Sequence, residues 1–275
     1  MSAGSKRSGK SRRPAGAQRS GEAGGSARDE RGCTAANLLL SIRDLSLART
    51  VGPGYRLAIP CLDVARGEKV AITGTSGCGK STALDLLGLV LRPDRAERFL
   101  FTPAGAGGRD VAACWRENRR DLLAGLRQRH MGYVLQTGGL LPFCTVYENM
   151  ELSARALGLP GRRESITAIA RALGIERLLP AMPETLSIGE RQRAAIGRAL
   201  AADPDVVLAD EPTAALDPWH AGAVLELLLG AVAERGVTLI LVTHSPEIVR
   251  AGGFREYRMQ VDHQDDGGVL AVLTQ

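Results

Sequence analysis

The sequence predicts an α/β domain built on a mostly parallel β-sheet with helices on both faces. Three observations carry this. Short apolar segments, Val206–Ala209 and Thr238–Thr243, stop abruptly in polar residues, as strands buried on both faces do. Helix-length segments alternate with such strands. A glycine-rich loop joins the strand-like Lys69–Thr73 directly to an apolar helical segment.

The elements follow in order. Leu38–Leu47 and Tyr55–Val64 read as strands joined by a Gly52-Pro53-Gly54 turn, since glycine and proline supply turn dihedrals. Gly67-Glu68 turns the chain into Lys69–Thr73. An apolar helix then runs through Leu91. Arg98–Phe101 is a further strand, Ala112–Arg129 a basic helix and Met131–Leu135 a strand. Residues 145–180 read as mostly helical, with breaks near Gly158–Arg162 and at Pro180. Gly189–Ala202 is helical up to Asp203-Pro204, because proline disfavours a helical conformation in the residue before it. No repeat of solenoid period is present.

Charge divides the chain. Of 275 residues, 35 are Lys or Arg and 30 are Asp or Glu, a net +5. Residues 1–32 hold eight basic and three acidic side chains, so the remaining 243 residues hold 27 of each sign. The surplus belongs to a Ser/Gly/Ala/Arg-rich segment with little apolar surface to offset ordering entropy, which predicts a disordered basic tail over residues 1–34 and a globular domain over 35–275. No nucleic-acid partner is expected of a neutral domain. No apolar run approaches the ~18–20 residues that span a bilayer. Five scattered cysteines without a CxxC pair argue against a disulfide framework and a zinc site, and for a cytoplasmic setting.

The most specific chemical signal is Gly74-Thr75-Ser76-Gly77-Cys78-Gly79-Lys80-Ser81-Thr82, which satisfies G-x-x-x-x-G-K-[ST] between a strand and a helix. Its glycines let successive N–H groups enclose phosphate oxygens. The helix adds its N-terminal partial charge. Lys80 reaches the β- and γ-phosphates, and the Ser81 hydroxyl can hold Mg²⁺. Asp210-Glu211 ends the apolar strand from Val206. After a phosphate loop, this pattern suits one carboxylate holding Mg²⁺ through water and a second polarising the attacking water.

Leu186-Ser187-Ile188-Gly189-Glu190-Arg191-Gln192-Arg193 stands 17 residues before Asp210, counted from Arg193. Here the sequence resembles the ATP-binding cassette (ABC) ATPases, whose signature is usually LSGGQ-x-Q-R. Ile188 replaces a glycine and Glu190 a glutamine. Ser187 with Glu190 three residues on is equally a helix capping box. Further matches fall in order along residues 38–250. Tyr133-Val134-Leu135-Gln136 resembles the Q-loop, Ala214-Ala215-Leu216-Asp217 the D-loop, and Val242-Thr243-His244-Ser245 the switch. Where the family usually places an adenine-stacking aromatic, Arg49 stands, with Tyr55 the nearest aromatic. Residues from Asp262 on are atypical.

The resemblance implies a P-loop NTPase fold of RecA-like type. It has a mostly parallel core sheet, an N-terminal antiparallel β subdomain and an inserted α-helical subdomain near residues 137–200. It implies an ATPase that powers solute movement through a separate integral membrane permease, with ATP and Mg²⁺ as cofactors. It implies a homodimer closing on two ATP molecules. Glu211, His244 and Gln136 would act in catalysis. Residues 74–82 and Asp217 would bind nucleotide, with Ser187 and Gly189 supplied by the partner protomer. Ser81, Gln136 and Asp210 would bind the metal. The cassette would lie on the inner face of the membrane, with Gly138–Glu148 toward the permease. The stretch Gln136–Glu151 is most similar to the lipoprotein-release and macrolide-efflux subgroup. The alternatives are an ABC ATPase acting in cell-division signalling at a membrane, or in DNA repair or translation. The latter two kinds usually carry a second cassette, a coiled-coil insertion or zinc modules.

Overall fold

The computed structural model describes residues 37–49, 54–159, 161–264 and 267–275, with only the backbone at Arg49 and Pro218. The expected tail over residues 1–34 and most of the Gly52-Pro53-Gly54 turn lie outside the described residues.

The strands are β1 (Leu38–Arg49), β2 (Tyr55–Ala65), β3 (Lys69–Thr73), β4 (Arg98–Phe101), β5 (Arg109–Asp110), β6 (Met131–Val134), β7 (Val206–Asp210), β8 (Thr238–Thr243), β9 (Arg255–His263) and β10 (Val269–Thr274). They form one sheet in the order β5-β4-β1-β2-β10-β9-β3-β8-β7-β6. The half from β9 to β6 is parallel, with β3 between β9 and β8 and β7 between β8 and β6. The other half is antiparallel where β1 meets β2 and β4. The antiparallel portion expected at the N-terminus is therefore continuous with the core. β10 makes the join, parallel to β2 and antiparallel to β9.

The central strands show why their sequences are apolar throughout. Val206, Leu208, Ile240 and Val242 belong to one core; Val207, Ala209, Leu239 and Leu241 belong to another. Successive side chains point to opposite faces of a strand, and both faces are covered. The first core also holds Leu84 and Leu87 of α1 (Lys80–Leu87) and Leu123 of α3 (Arg120–His130). The second holds Met150 of α4 (Val146–Ala156), Ile169 of α5 (Arg163–Ala172), Ile196 of α6 (Ile188–Leu200) and Leu228 of α7 (Pro218–Arg235). The helical segment thus shares its core with the sheet.

Several expected boundaries move. The first helix ends at Leu87, not Leu91, because Gly88 caps it and Leu89 turns to φ +57°. The single basic helix over Ala112–Arg129 is two, α2 (Val111–Arg116) and α3, broken at Asn118, whose φ is +55°. Asparagine tolerates the left-handed region that ends a helix. β6 stops at Val134, so Gln136 lies in the following loop rather than on the strand. The long helix α7 is not separated from its surroundings by the sequence pattern, because it is apolar around most of its circumference. It is followed by α8 (Pro246–Gly252).

Candidate active site

The core sheet brings the scattered motifs to one edge. β6, β7, β8 and β3 lie side by side and parallel. Thr73 at the end of β3 is level with Thr243 at the end of β8, and Asp210 at the end of β7 is level with Val242. The chain leaves these ends into the glycine loop, His244 and Glu211. Gln136 leaves the end of β6 two residues further on. In open α/β sheets, this carboxyl edge is where ligands bind.

The loop over Gly74–Gly79 is shaped by close approaches. Gly74, Gly77 and Gly79 have φ of +154°, +78° and +103°. A Cβ on Gly79 would meet the Tyr55 hydroxyl at 1.7 Å, so Tyr55 lies against the start of α1. Its hydroxyl donates to the Cys78 carbonyl at 3.2 Å. The side chain of Arg49, the other adenine-stacking candidate, lies outside the described residues. Thr75, Ser76, Gly77 and Ser81 are exposed, Thr82 is half-buried and Cys78 is buried.

Lys80 is only 5% exposed. Its Nζ donates to the carbonyls of Gly74 at 3.0 Å and Thr75 at 2.8 Å. It also stands 3.7 Å from Glu211 Oε1. Glu211 Oε2 is 2.9 Å from His244 Nδ1. One carboxylate therefore sits between two potential cations. Glu211 holds φ +43°, and its N–H donates to Val242 O at 3.0 Å.

Burial pushes the Asp210 carboxyl above the usual carboxylate range. A hydrogen bond from Ser81 pulls it down, and the charges of Glu211 and Asp85 push it up again. Asp85 accepts a 2.8 Å hydrogen bond from Tyr133. Burial first, and then Asp85, raise the Tyr133 phenol far above its ordinary value, so it remains a neutral donor. Asp85 belongs to no motif, and Tyr133, though it opens the segment that resembles the Q-loop, carries no role that the sequence pattern assigns.

The structure joins Lys80, Glu211 and His244 by direct contacts, and Asp210, next to Glu211 in the chain, interacts electrostatically with Ser81, Glu211 and Lys80. Three other residues make different contacts. Ser187 exchanges hydrogen bonds with Glu190 as the capping box of α6. A Cβ on Gly189 would touch Leu216 at 3.8 Å. Asp217 caps α7, accepting from the N–H groups of Trp219 and His220, and its other oxygen is 2.6 Å from His220 Nδ1. Gln136 is exposed. The loop that carries it is tied to α6, because Arg198 donates to the carbonyls of Gly138 and Gly139, and Gln192 donates to Leu135 O at 3.4 Å.

A parallel sheet with a phosphate-cradling loop and a carboxylate pair at its strand ends defines a P-loop nucleotide hydrolase. The family model described as "ABC transporter" matches residues 60–214. The chain belongs to that family and is an ATP-hydrolysing, nucleotide-binding subunit. It is 40% identical over 214 residues to the lipoprotein-releasing system ATP-binding protein LolD of Oleidesulfovibrio alaskensis, covering 76% of this chain and 87% of that one. It is 39% identical over 189 residues to the macrolide export ATP-binding/permease protein MacB of Shigella flexneri. That match covers 68% of this chain but 28% of MacB. Among solved structures, it resembles the ATP-binding cassette MJ0796, a dimer in a post-hydrolysis state bound to ADP and Pi. The TM-score is 0.64 at 28% identity, over 84% of this chain and 96% of that one.

Proposed function

We propose that the strand-end network is one half of an ATP hydrolysis site, completed by the signature segment of a second copy. The observation that carries this is the bridge Lys80–Glu211–His244 at the edge of the parallel strands. Lys80 and the loop amides bind the β- and γ-phosphates. Glu211 accepts a proton from the attacking water, and His244 orients that carboxylate and meets the γ-phosphate. Gln136 enters from its loop. Ser187 and Gly189 reach the phosphate of the other protomer's nucleotide, where the N-terminus of α6 favours an anion. Asp217 holds the start of α7 and, through it, the D-loop against the partner.

The residues fit Mg²⁺. Asp210 is desolvated among like charges that a divalent cation would relieve, and the Ser81 side chain favours its charged form. Among the described residues no cluster of three or more His, Cys, Asp or Glu could hold a metal by itself. An ion there would complete its shell with phosphate oxygens and water. Ser81, Asp210 through water, and Gln136 would hold it, and it would neutralise charge developing on the phosphate.

The cassette works beneath an integral membrane permease, on the inner face of the membrane; MacB, by its name an ATP-binding/permease protein, joins such a cassette to a permease. Among the described residues no helix is long and apolar enough to cross a membrane. Phe143, 74% exposed, together with Leu135 and Leu152, supports residues 138–148 and their surroundings as the docking face.

Glu211→Gln tests the hydrolytic assignment. The variant should bind ATP and dimerise, while turnover falls by about 10²–10⁴-fold. Near-normal phosphate release would remove Glu211 from the role of base.

A further inference from the structure

Trp219 is the most exposed large apolar side chain among the described residues, at 83%. It stands two residues beyond the D-loop Asp217, in the first turn of α7. Beside it is a cavity of about 380 Å³ between the D-loop, α7 and α8. Ala221, Gly222, Ile248 and Ala251 give it small apolar walls, and Glu211 and His244 lie at one side. Trp219 does not line this cavity. A knob and a hole therefore share the same stretch of helix, without the knob filling its own hole.

We infer that, in the ATP-closed dimer, Trp219 of each protomer seats in this cavity of the other. The inference rests on the dimeric reading above. A twofold dimer apposes the same surface on both protomers, so with the axis passing between them, a knob and a hole on that surface each meet the other's counterpart. The cavity is continuous with the surface that the second copy must cover, since Glu211, His244 and Leu216 border it. The matched cassette MJ0796 is itself dimeric. A tryptophan left in water by the monomer is the residue type most enriched among interface anchors. Glu247 at the cavity wall offers an acceptor for the indole N–H, which usually finds one when buried. Seated there, the indole closes the rear of the partner's Glu211–His244 pair.

The test uses the full chain carrying Glu211→Gln, with ATP, followed by sedimentation across protein concentration. Trp219→Ala removes the knob. Gly222→Leu fills the hole; a Cβ at Gly222 meets nothing within 4 Å, and replacing a helical glycine favours the helix. Each change should raise the dimer dissociation constant about tenfold or more. The double variant should be little weaker than either single one. The chain has two tryptophans, so Trp115→Phe leaves Trp219 as sole reporter. Its emission should move to shorter wavelength with dimer formation. A dimer of unchanged affinity in both variants, with Trp219 emission still that of an exposed indole, overturns the inference and leaves the dimeric reading standing. An emission shift in the monomer, marking a small ligand or the protomer's own cavity, overturns it as well. A parent protein that stays monomeric with ATP removes the dimeric reading and this inference with it.

Discussion

Glu211 shows how much one residue depends on its neighbours. A non-glycine residue at φ +43° stores roughly 1–3 kcal/mol of strain. The N–H bond to Val242 and the contact with His244 hold it there. The position of the carboxylate was legible in the sequence, from an apolar strand ending in Asp-Glu. Its bridge to Lys80 and His244 was not, because the three lie more than 30 residues apart. Glu190 gives a residue-scale prediction. Its backbone and side-chain hydrogen bonds with Ser187 lower its pKa below the usual 4.5. A carboxylate whose folded pKa is depressed contributes stability above its unfolded value and loses it as pH falls through the folded one. Glu190→Ala should therefore lower stability near neutral pH by about 1 kcal/mol, the net worth of a hydrogen bond, and the thermal midpoint with it. The gap between parent and variant should shrink as the pH falls below 4.5. Paired thermal melts across that range measure it.

At the scale of elements, the tie between α6 and the Gln136 loop is the clearest case. Arg198 is half-buried, and burial lowers its pKa, yet its guanidinium donates to two loop carbonyls. Gly138 and Gly139 hold φ of +74° and +60°, which only glycine adopts freely. Arg198→Ala leaves those carbonyls without their donor, at about 1–3 kcal/mol. It should also lower kcat more than it weakens nucleotide binding, since in the proposed site Gln136 meets the attacking water and Mg²⁺ rather than the base or ribose. Denaturant unfolding and steady-state ATPase assays check the two halves. An equal loss in ATP binding would count against this. The signature helix was legible as a capped helix and as a family motif. The side chains further along it that hold the neighbouring loop were not, because nothing local distinguishes Arg198 from a solvated arginine. The break between α2 and α3 was missed for a related reason. Asn118 interrupts an otherwise continuous helical composition by one backbone dihedral.

At the scale of the whole molecule, charge and apolar pattern separate cleanly. The net +5 resides in residues 1–32, and no proposed site residue lies there. Deleting that segment should leave ATP hydrolysis intact, as measured by phosphate release; a large loss would assign it a part in the reaction. The sequence by itself determined the α/β class, the phosphate loop, the family and most strand positions. These depend on local patterns: alternating burial, turn residues and short motifs whose chemistry needs fixed spacing. Only the tertiary structure decided the order of strands, with β10 joining the antiparallel and parallel halves. It alone placed Lys80, Glu211 and His244 within contact, and Trp219 near the cavity between the D-loop, α7 and α8. Such contacts form between elements far apart in the chain. Their geometry follows from how two cores pack against one sheet, and no local stretch of sequence encodes that.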